Sequence, residues 1–219
     1  MYKMGVGGLD DQVSGVRGGT NLLVTGPAMS GKERFASTVL SQGIQNGDAT
    51  IYVTTKDSVD EVTGRYRDVE GYDDEKFGVV DCVTQNQSSG GKEDTSTVKF
   101  ASSPEDMTGI GIKVSELLTS FSEENGYERN RICVNSVSTL LMYSNLQTVF
   151  RFLHVFTGRV RSAEALGLFF LDSEMHDEKD YSTLKQLFDG SVEVRDTDPE
   201  VEVKVTGLGN QSTGWVPLD

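Results

Sequence analysis

The fold is decided by residues 21–45, which read NLLVTGPAMSGKERFASTVLSQGIQ. The first five residues form an apolar run typical of a buried strand, and residues 32–45 carry apolar side chains at helical spacing. The loop between them fits the pattern G-x-x-x-x-G-K and consists of Gly26, Pro27, Ala28, Met29, Ser30, Gly31 and Lys32. Strand, glycine loop and helix in this order predict a phosphate-binding loop, in which backbone N–H groups surround a phosphate and the lysine neutralises it.

The alternation of short apolar runs and helical stretches continues along the chain. It predicts an α/β fold, a mostly parallel sheet flanked by helices. Further strands are predicted at residues 49–54, 77–83, 131–134 and 167–172, and helices at residues 104–123, 145–165 and 178–188. Residues 192–195 and 201–205 alternate across an acidic turn, which predicts a C-terminal β-hairpin at the edge of the sheet.

The same pattern favours one domain over residues 1–219. No internal repeat is visible. Residues 84–96 are polar and lack apolar periodicity, so they are interpreted as a loop that is too short to separate two cores.

The composition is acidic, with 34 Asp and Glu residues against 20 Lys and Arg residues and a net charge of -14. Such a field disfavours binding to nucleic-acid backbones and to acidic membrane surfaces. No apolar run approaches the roughly 18 residues needed to cross a bilayer, and no secretory signal is visible, so we expect a soluble protein of the cytoplasm. Cys82 and Cys133 each lie in an apolar run, which is typical of reduced, buried thiols.

Two positions near the loop lack the usual magnesium ligands. The residue after the loop lysine is normally Ser or Thr, whose hydroxyl binds Mg²⁺, but here it is Glu33. The strand at residues 131–134 is followed by Asn135 where an acid is expected, and an amide supplies no charge to the ion. Glu33 could itself contact a metal, or turn into solvent where it favours the helix dipole. Either way, the usual route to Mg²⁺ binding is absent from the sequence.

The chain resembles the RecA superfamily, and within it the KaiC-like domains that are abundant in archaea. The resemblance is carried by GGLD at 7–10, TNLLVTGPAMSGK at 20–32, IYVTT at 51–55 and NSVSTLLMY at 135–143. SPEDMTGIG at 103–111, VFRFLHVFTGRVR at 149–161 and LKQLFDG at 184–190 are similar to a haloarchaeal branch. The resemblance implies a RecA-like fold, ATP as the ligand, and a protein partner or a homo-oligomer.

Family members that hydrolyse ATP carry Ser or Thr after the loop lysine, Asp in the Walker B strand, and paired Glu after the second strand. The corresponding residues here are Glu33, Asn135 and the pair Lys56-Asp57. Of these, Asp57 is the candidate for the general base that activates water. The alternative interpretation places Asp57 at the start of a helix, just before Ser58. The departures from the family pattern argue against efficient hydrolysis.

Two further candidate site residues lie at and after the end of the fifth predicted strand. Asp172 ends that strand and His176 follows it, on the side of a parallel sheet where ligands bind. His154, in contrast, lies among apolar residues of a predicted helix and is interpreted as a packed or boundary residue.

The sequence therefore predicts a regulatory or scaffold module that binds ATP with little or no hydrolysis. One alternative is a slow Mg²⁺-dependent ATPase in which Glu33, Asp57 or Asp172 rebuilds the metal site. Another is an interaction protein whose loop binds no nucleotide.

The acidic composition is also typical of proteins from a very salty cytoplasm. Lowering KCl from about 1 M to about 0.1 M lengthens the Debye length from about 3 Å to about 10 Å, so surface carboxylates repel one another over a longer range. We expect the melting temperature, followed by circular dichroism, to fall as KCl is reduced. A melting temperature that is flat or higher at low salt would contradict this interpretation.

Overall fold

A nine-stranded sheet lies at the centre of the computed structural model, which describes residues 1–86, 92–208 and 212–218. Its strands are β1 (Asn21–Gly26), β2 (Ala49–Thr54), β3 (Phe77–Asp81), β4 (Val98–Phe100), β5 (Asn130–Asn135), β6 (Leu166–Asp172), β7 (Gly190–Asp196), β8 (Val201–Thr206) and β9 (Val216–Pro217). Their order across the sheet is β4-β3-β2-β5-β6-β1-β7-β8-β9. In this order, the first seven strands, from β4 to β7, pair in parallel with their neighbours. Strand β8 pairs antiparallel with β7, and β9 pairs antiparallel with β8. The α/β fold with a C-terminal hairpin is therefore confirmed.

Helices cover both faces of the sheet. They are α1 (Gly7–Val13), α2 (Lys32–Gln45), α3 (Val59–Gly64), α4 (Met107–Thr119), α5 (Val137–Tyr143), α6 (Leu146–Ser162) and α7 (Glu178–Lys185). Successive residues of a strand point to opposite faces, so Leu22 and Val24 of β1 pack with α2 while Leu23 packs with α4 and α6. No helix in the described ranges is both long and apolar enough to cross a membrane.

The structure differs from the sequence predictions mainly at element ends. The helix predicted from residue 104 begins at Met107, because the Asp106 side chain caps it by accepting the Gly109 N–H at 2.8 Å. The strand predicted to reach residue 83 ends at Asp81, whose carboxylate accepts the N–H groups of Val83 and Thr84 and turns the chain. The hairpin is not at the edge of the sheet, because β9 pairs with β8.

Several short elements were not predicted: α1, α5, β4 and β9. Each has two to seven residues, too few for a periodic pattern to be visible. The short helix α3 follows Ser58, as the alternative interpretation of Asp57 implied. The predicted loop at 84–96 begins with a 3₁₀ turn over Thr84–Asn86, and its residues 87–91 lie outside the described ranges.

A buried ion pair joins β5 to the segment before β2. Arg131 is fully buried, and its Nε lies 2.8 Å from Oδ2 of Asp48. Its Nη1 donates to the backbone carbonyls of Lys3 and Val39. Gly43 is needed beside it, since a Cβ there would lie 2.4 Å from Nε of Arg131. One guanidinium thus holds together the N-terminal segment, α2 and two neighbouring strands.

The buried ion pair of Arg131 and Asp48 should contribute far more to the free energy of unfolding than an exposed ion pair does. Arg131→Met leaves the Asp48 carboxylate buried with one partner fewer, and we expect a loss of about 3 kcal/mol or more in the free energy of unfolding. Arg161→Met, which removes the exposed pair with Asp189, should cost less than about 1 kcal/mol. Urea denaturation at fixed KCl compares the two variants, and equal shifts would contradict the assigned role of Arg131.

Candidate functional site

The loop from Gly26 to Lys32 lies at the carboxyl end of β1 and leads into α2. The residue before α2 is Gly31, with a left-handed φ of +88°, and no side chain caps this helix. The other helices of eight or more residues, α4, α6 and α7, each have a capping side chain. Within the described chain, the N–H groups of the first residues of α2 have no acceptor, so they are available to an anion.

The C-terminal hairpin packs directly behind this loop. A Cβ at Gly26 would lie 2.3 Å from the backbone oxygen of Val194 in β7, and one at Gly31 would lie 2.7 Å from the methyl groups of Val201 in β8. Both contacts are closer than any side chain tolerates. The two glycines that define the motif are thus also required by the hairpin.

The Lys32 ammonium is surrounded by oxygen atoms. Its side chain is only 10% exposed, and Nζ donates to the carbonyls of Gly26 at 2.8 Å and Pro27 at 2.5 Å. The third partner is Asp172, whose Oδ1 lies 2.7 Å from Nζ. The backbone N–H of Asp172 is in turn held by Ser138 Oγ at 2.8 Å. The structure thus brings together the loop lysine and the acid at the end of β6.

A cleft of about 550 Å³ opens beside the loop. It is lined by Ala28, Met29, Ser30, Gly31, Lys32, Glu33, Lys56, Asn135, Ser136, Thr139, Phe170, Leu171 and Asp172. Lys56 forms an ion pair with Glu33, and the hydrogen bond from Lys56 is the main reason that the pKa of Glu33 is lowered. Together with the Lys32–Asp172 pair, this gives the cleft two cations and two carboxylates, which neutralise each other.

The predicted metal and base positions are occupied by other contacts. The Asn135 amide donates to the Tyr52 hydroxyl at 3.0 Å. Asp57 lies outside the cleft lining and pairs with Arg65 at 2.7 Å, directly before Ser58, which caps α3. Among the residues that the structure describes, no group of three Asp, Glu, His or Cys side chains is arranged to hold a metal ion.

A second cleft, of about 490 Å³, lies on the other side of Pro27. Tyr181, Arg195 and Trp215 are among its lining residues, and the Arg195 guanidinium stacks on the Trp215 ring at 3.9 Å. His176 also lines it and contacts Ser138 Oγ at 2.9 Å, so Ser138 connects the two clefts. Burial lowers the pKa of His176.

Sequence reasoning missed Arg195, Trp215 and Ser138 as members of this region. Arg195 and Trp215 lie on the hairpin and the final segment, and nothing in the local sequence relates them to the loop. Ser138 falls within the stretch that resembles KaiC-like proteins, but its contacts depend on the packing of α5 against β6. His154, predicted to be a packed or boundary residue, is exposed on α6.

The α/β fold, with the glycine loop after β1 in the interior of the sheet, is similar to that of KaiC-like proteins. A KaiC-like protein, PH0186 from Pyrococcus horikoshii, has the same fold with a TM-score of 0.70, 14% identity, and coverage of 100% of this chain and 94% of the other. The uncharacterized protein PH0321 of the same organism, solved in complex with an unknown peptide, gives a TM-score of 0.71 at 12% identity, with both chains fully covered.

The chain belongs to the DUF7504 family, a family of unknown function whose sequence profile matches residues 19–194. No curated protein matches the sequence.

Proposed function

We propose that the protein is a nucleotide-binding module, with ATP as its ligand, that acts by binding and hydrolyses the nucleotide slowly or not at all. The observation that carries the proposal is the uncapped N-terminus of α2 beside Lys32. Free N–H groups, the helix dipole and a lysine at one point are the combination that binds phosphate. As a regulatory or scaffold module, it would act on a protein partner or on a second copy of the chain.

Binding in this cleft requires an exchange of partners at Lys32. The ammonium already contacts three oxygens, one of which is the charged Oδ1 of Asp172. A phosphate oxygen would compete with that carboxylate for the same cation, and the two anions repel each other at short range. The affinity for ATP is therefore set by the difference between two ion pairs, and Asp172 lowers it.

The second cleft supports a ligand that extends beyond a phosphate. It shares Gly26 and Pro27 with the loop, so it adjoins the phosphate-binding region, and it carries the aromatic rings of Tyr181 and Trp215. Aromatic rings and a stacked guanidinium are surfaces on which nucleobases pack well. This favours a nucleotide over inorganic phosphate.

Weak hydrolysis follows from the groups around the phosphate cleft. Glu33 is held ionised by Lys56 at the position of the usual hydroxyl ligand, and Asn135 adds no charge. Asp57, the candidate general base, is neutralised by Arg65 outside the cleft lining. Neither the metal ion nor the attacking water has its usual ligands, and both are needed to stabilise phosphoryl transfer.

The competition at Lys32 predicts opposite effects for the two partners. Lys32→Ala should weaken ATP binding by tenfold to a hundredfold, since a charged hydrogen bond contributes about 1.5–3 kcal/mol. Asp172→Asn keeps the side-chain volume but removes the competing charge, and it should tighten binding about tenfold, or about 1.4 kcal/mol. Trp215, the only tryptophan, reports binding through its fluorescence.

Circular dichroism of each variant verifies that the fold is intact. Unchanged ATP affinity in Lys32→Ala would contradict the phosphate site. If ATP changes neither the fluorescence nor the melting temperature of the wild-type protein, the interaction-protein alternative is correct.

A separate prediction concerns the missing magnesium ligands. Glu33→Thr restores a hydroxyl and Asn135→Asp restores an acid, but each alone leaves the site incomplete, so we expect non-additive effects. Only the double variant should bind ATP more tightly when Mg²⁺ is added, as measured by titrations with Mg²⁺ and with EDTA. It should release phosphate only if an acid such as Asp57 can orient water. Equal Mg²⁺ dependence in the wild type and the double variant would contradict this account, and Mg²⁺-dependent phosphate release by the wild type would favour the slow ATPase.

A further inference from the structure

One segment of this acidic chain has no acidic residue. Residues 129–163 contain five arginines and no Asp or Glu, although the whole chain has 34 of them. This segment includes all of α6, whose arginines are Arg151, Arg159 and Arg161. Arg129 and Arg131 pair with Asp48, and Arg161 pairs with Asp189. Arg151 and Arg159 therefore remain on α6 without an ion pair in the described residues, on the sheet face opposite α2.

An apolar groove runs between α4 and α6 on that face. It has a volume of about 320 Å³ and is lined by Met107, Thr108, Gly111, Ile112, Thr148, Arg151, Phe152, Val155, Phe156 and Arg159. Ile112 and Val155 are about half exposed, at 49% and 54%, and they line the same groove, so they form a contiguous apolar patch and not scattered single side chains. Val155 and Arg159 also line an adjoining depression, whose lining includes Glu123, Glu128 and Glu164, so the surface without acidic side chains is the groove itself.

The arginines beside the groove are available to carboxylates. Nη1 of Arg159 donates to the Gly111 backbone oxygen at 2.5 Å, a contact that depends on the glycine, since a Cβ there would lie 3.0 Å from Nη1. Neither Arg151 nor Arg159 forms an ion pair within the described residues. Two acids near the groove are engaged elsewhere, because Asp106 caps α4 and Glu116 lies near Lys99 and Lys113.

We propose that this groove binds an amphipathic helix of a partner protein, one that carries carboxylates beside its apolar stripe. Apolar side chains of the partner would cover Ile112 and Val155, while its carboxylates would pair with Arg151 and with the free N–H groups of Arg159. Helix-in-groove recognition uses this combination of apolar anchors and flanking charge. The groove lies on the sheet face away from α2, so the proposal is independent of nucleotide binding.

The chemistry favours a peptide over a nucleic acid. A surface for single-stranded nucleic acid offers exposed aromatic rings to the bases, whereas the exposed large apolar side chains at this groove, Ile112 and Val155, are aliphatic. The net charge of -14 also opposes the long-range approach of a polyanion. A short helix with a few carboxylates needs only the local positive charge.

The test uses two labelled model peptides with the same leucines at helical spacing, one with flanking glutamates and one with lysines in their place. Non-specific attraction to an acidic protein favours the lysine peptide, so a preference for the glutamate peptide identifies the groove. Fluorescence anisotropy, at a KCl concentration where the protein is folded, should show at least tenfold tighter binding of the glutamate peptide. Arg151→Glu and Val155→Asp should each abolish that preference, while Arg17→Glu, the same charge change on an exposed arginine elsewhere, should preserve it.

Three results would overturn the proposal. One is tighter binding of the lysine peptide. Another is binding of a single-stranded oligonucleotide that is lost in Arg151→Glu, which would identify a nucleic acid as the ligand. The last is a wild-type dimer, seen by sedimentation, that dissociates in Val155→Asp, which would show that a second copy occupies the groove.

Discussion

The ammonium of Lys32 is the charge around which the site is built. It is almost buried, and a buried cation is costly unless its donors are satisfied and its charge is balanced. Two loop carbonyls and the carboxylate of Asp172 meet that need, and they lie far apart in the sequence. The pairing fixes the loop against the end of β6. Under the proposed function, phosphate binding would be an exchange of one anion for another.

The glycine loop is supported from behind as well as from the side. The hairpin of β7 and β8 lies so close to Gly26 and Gly31 that neither position has room for a Cβ. The same hairpin carries Arg195 into the second cleft, where it stacks on Trp215. The hairpin and the final segment therefore contact the glycine loop and also line the second cleft. The loop motif alone does not reveal this contribution.

The two faces of the sheet are used differently. One face is covered by α2 and the N-terminal segment, and Arg131, paired with Asp48, holds both of them to the sheet. The other face is covered by α4 and α6, and between them an apolar groove stays partly open beside Arg151 and Arg159. The proposed partner site therefore lies on the sheet face opposite α2, whose N-terminus belongs to the proposed nucleotide site.

The amino-acid sequence by itself determined the α/β class, the longer helices and strands, and the loop from Gly26 to Lys32. These depend on local patterns, namely apolar periodicity and the glycines of a turn, which are visible within a short window. The sequence also places Glu33 directly after the loop lysine and Asn135 directly after a predicted strand. These are the two positions where magnesium ligands are expected.

Only the tertiary structure decided which side chains meet. The pairing of Lys32 with Asp172 and the stacking of Arg195 on Trp215 join residues on different elements, through a strand order that no local pattern encodes. Short elements such as α3 and β9 exist because neighbours pack against them, since a few residues cannot form stable structure alone. The charge balance of the cleft is a property of that packing, because its two ion pairs each join residues of different elements.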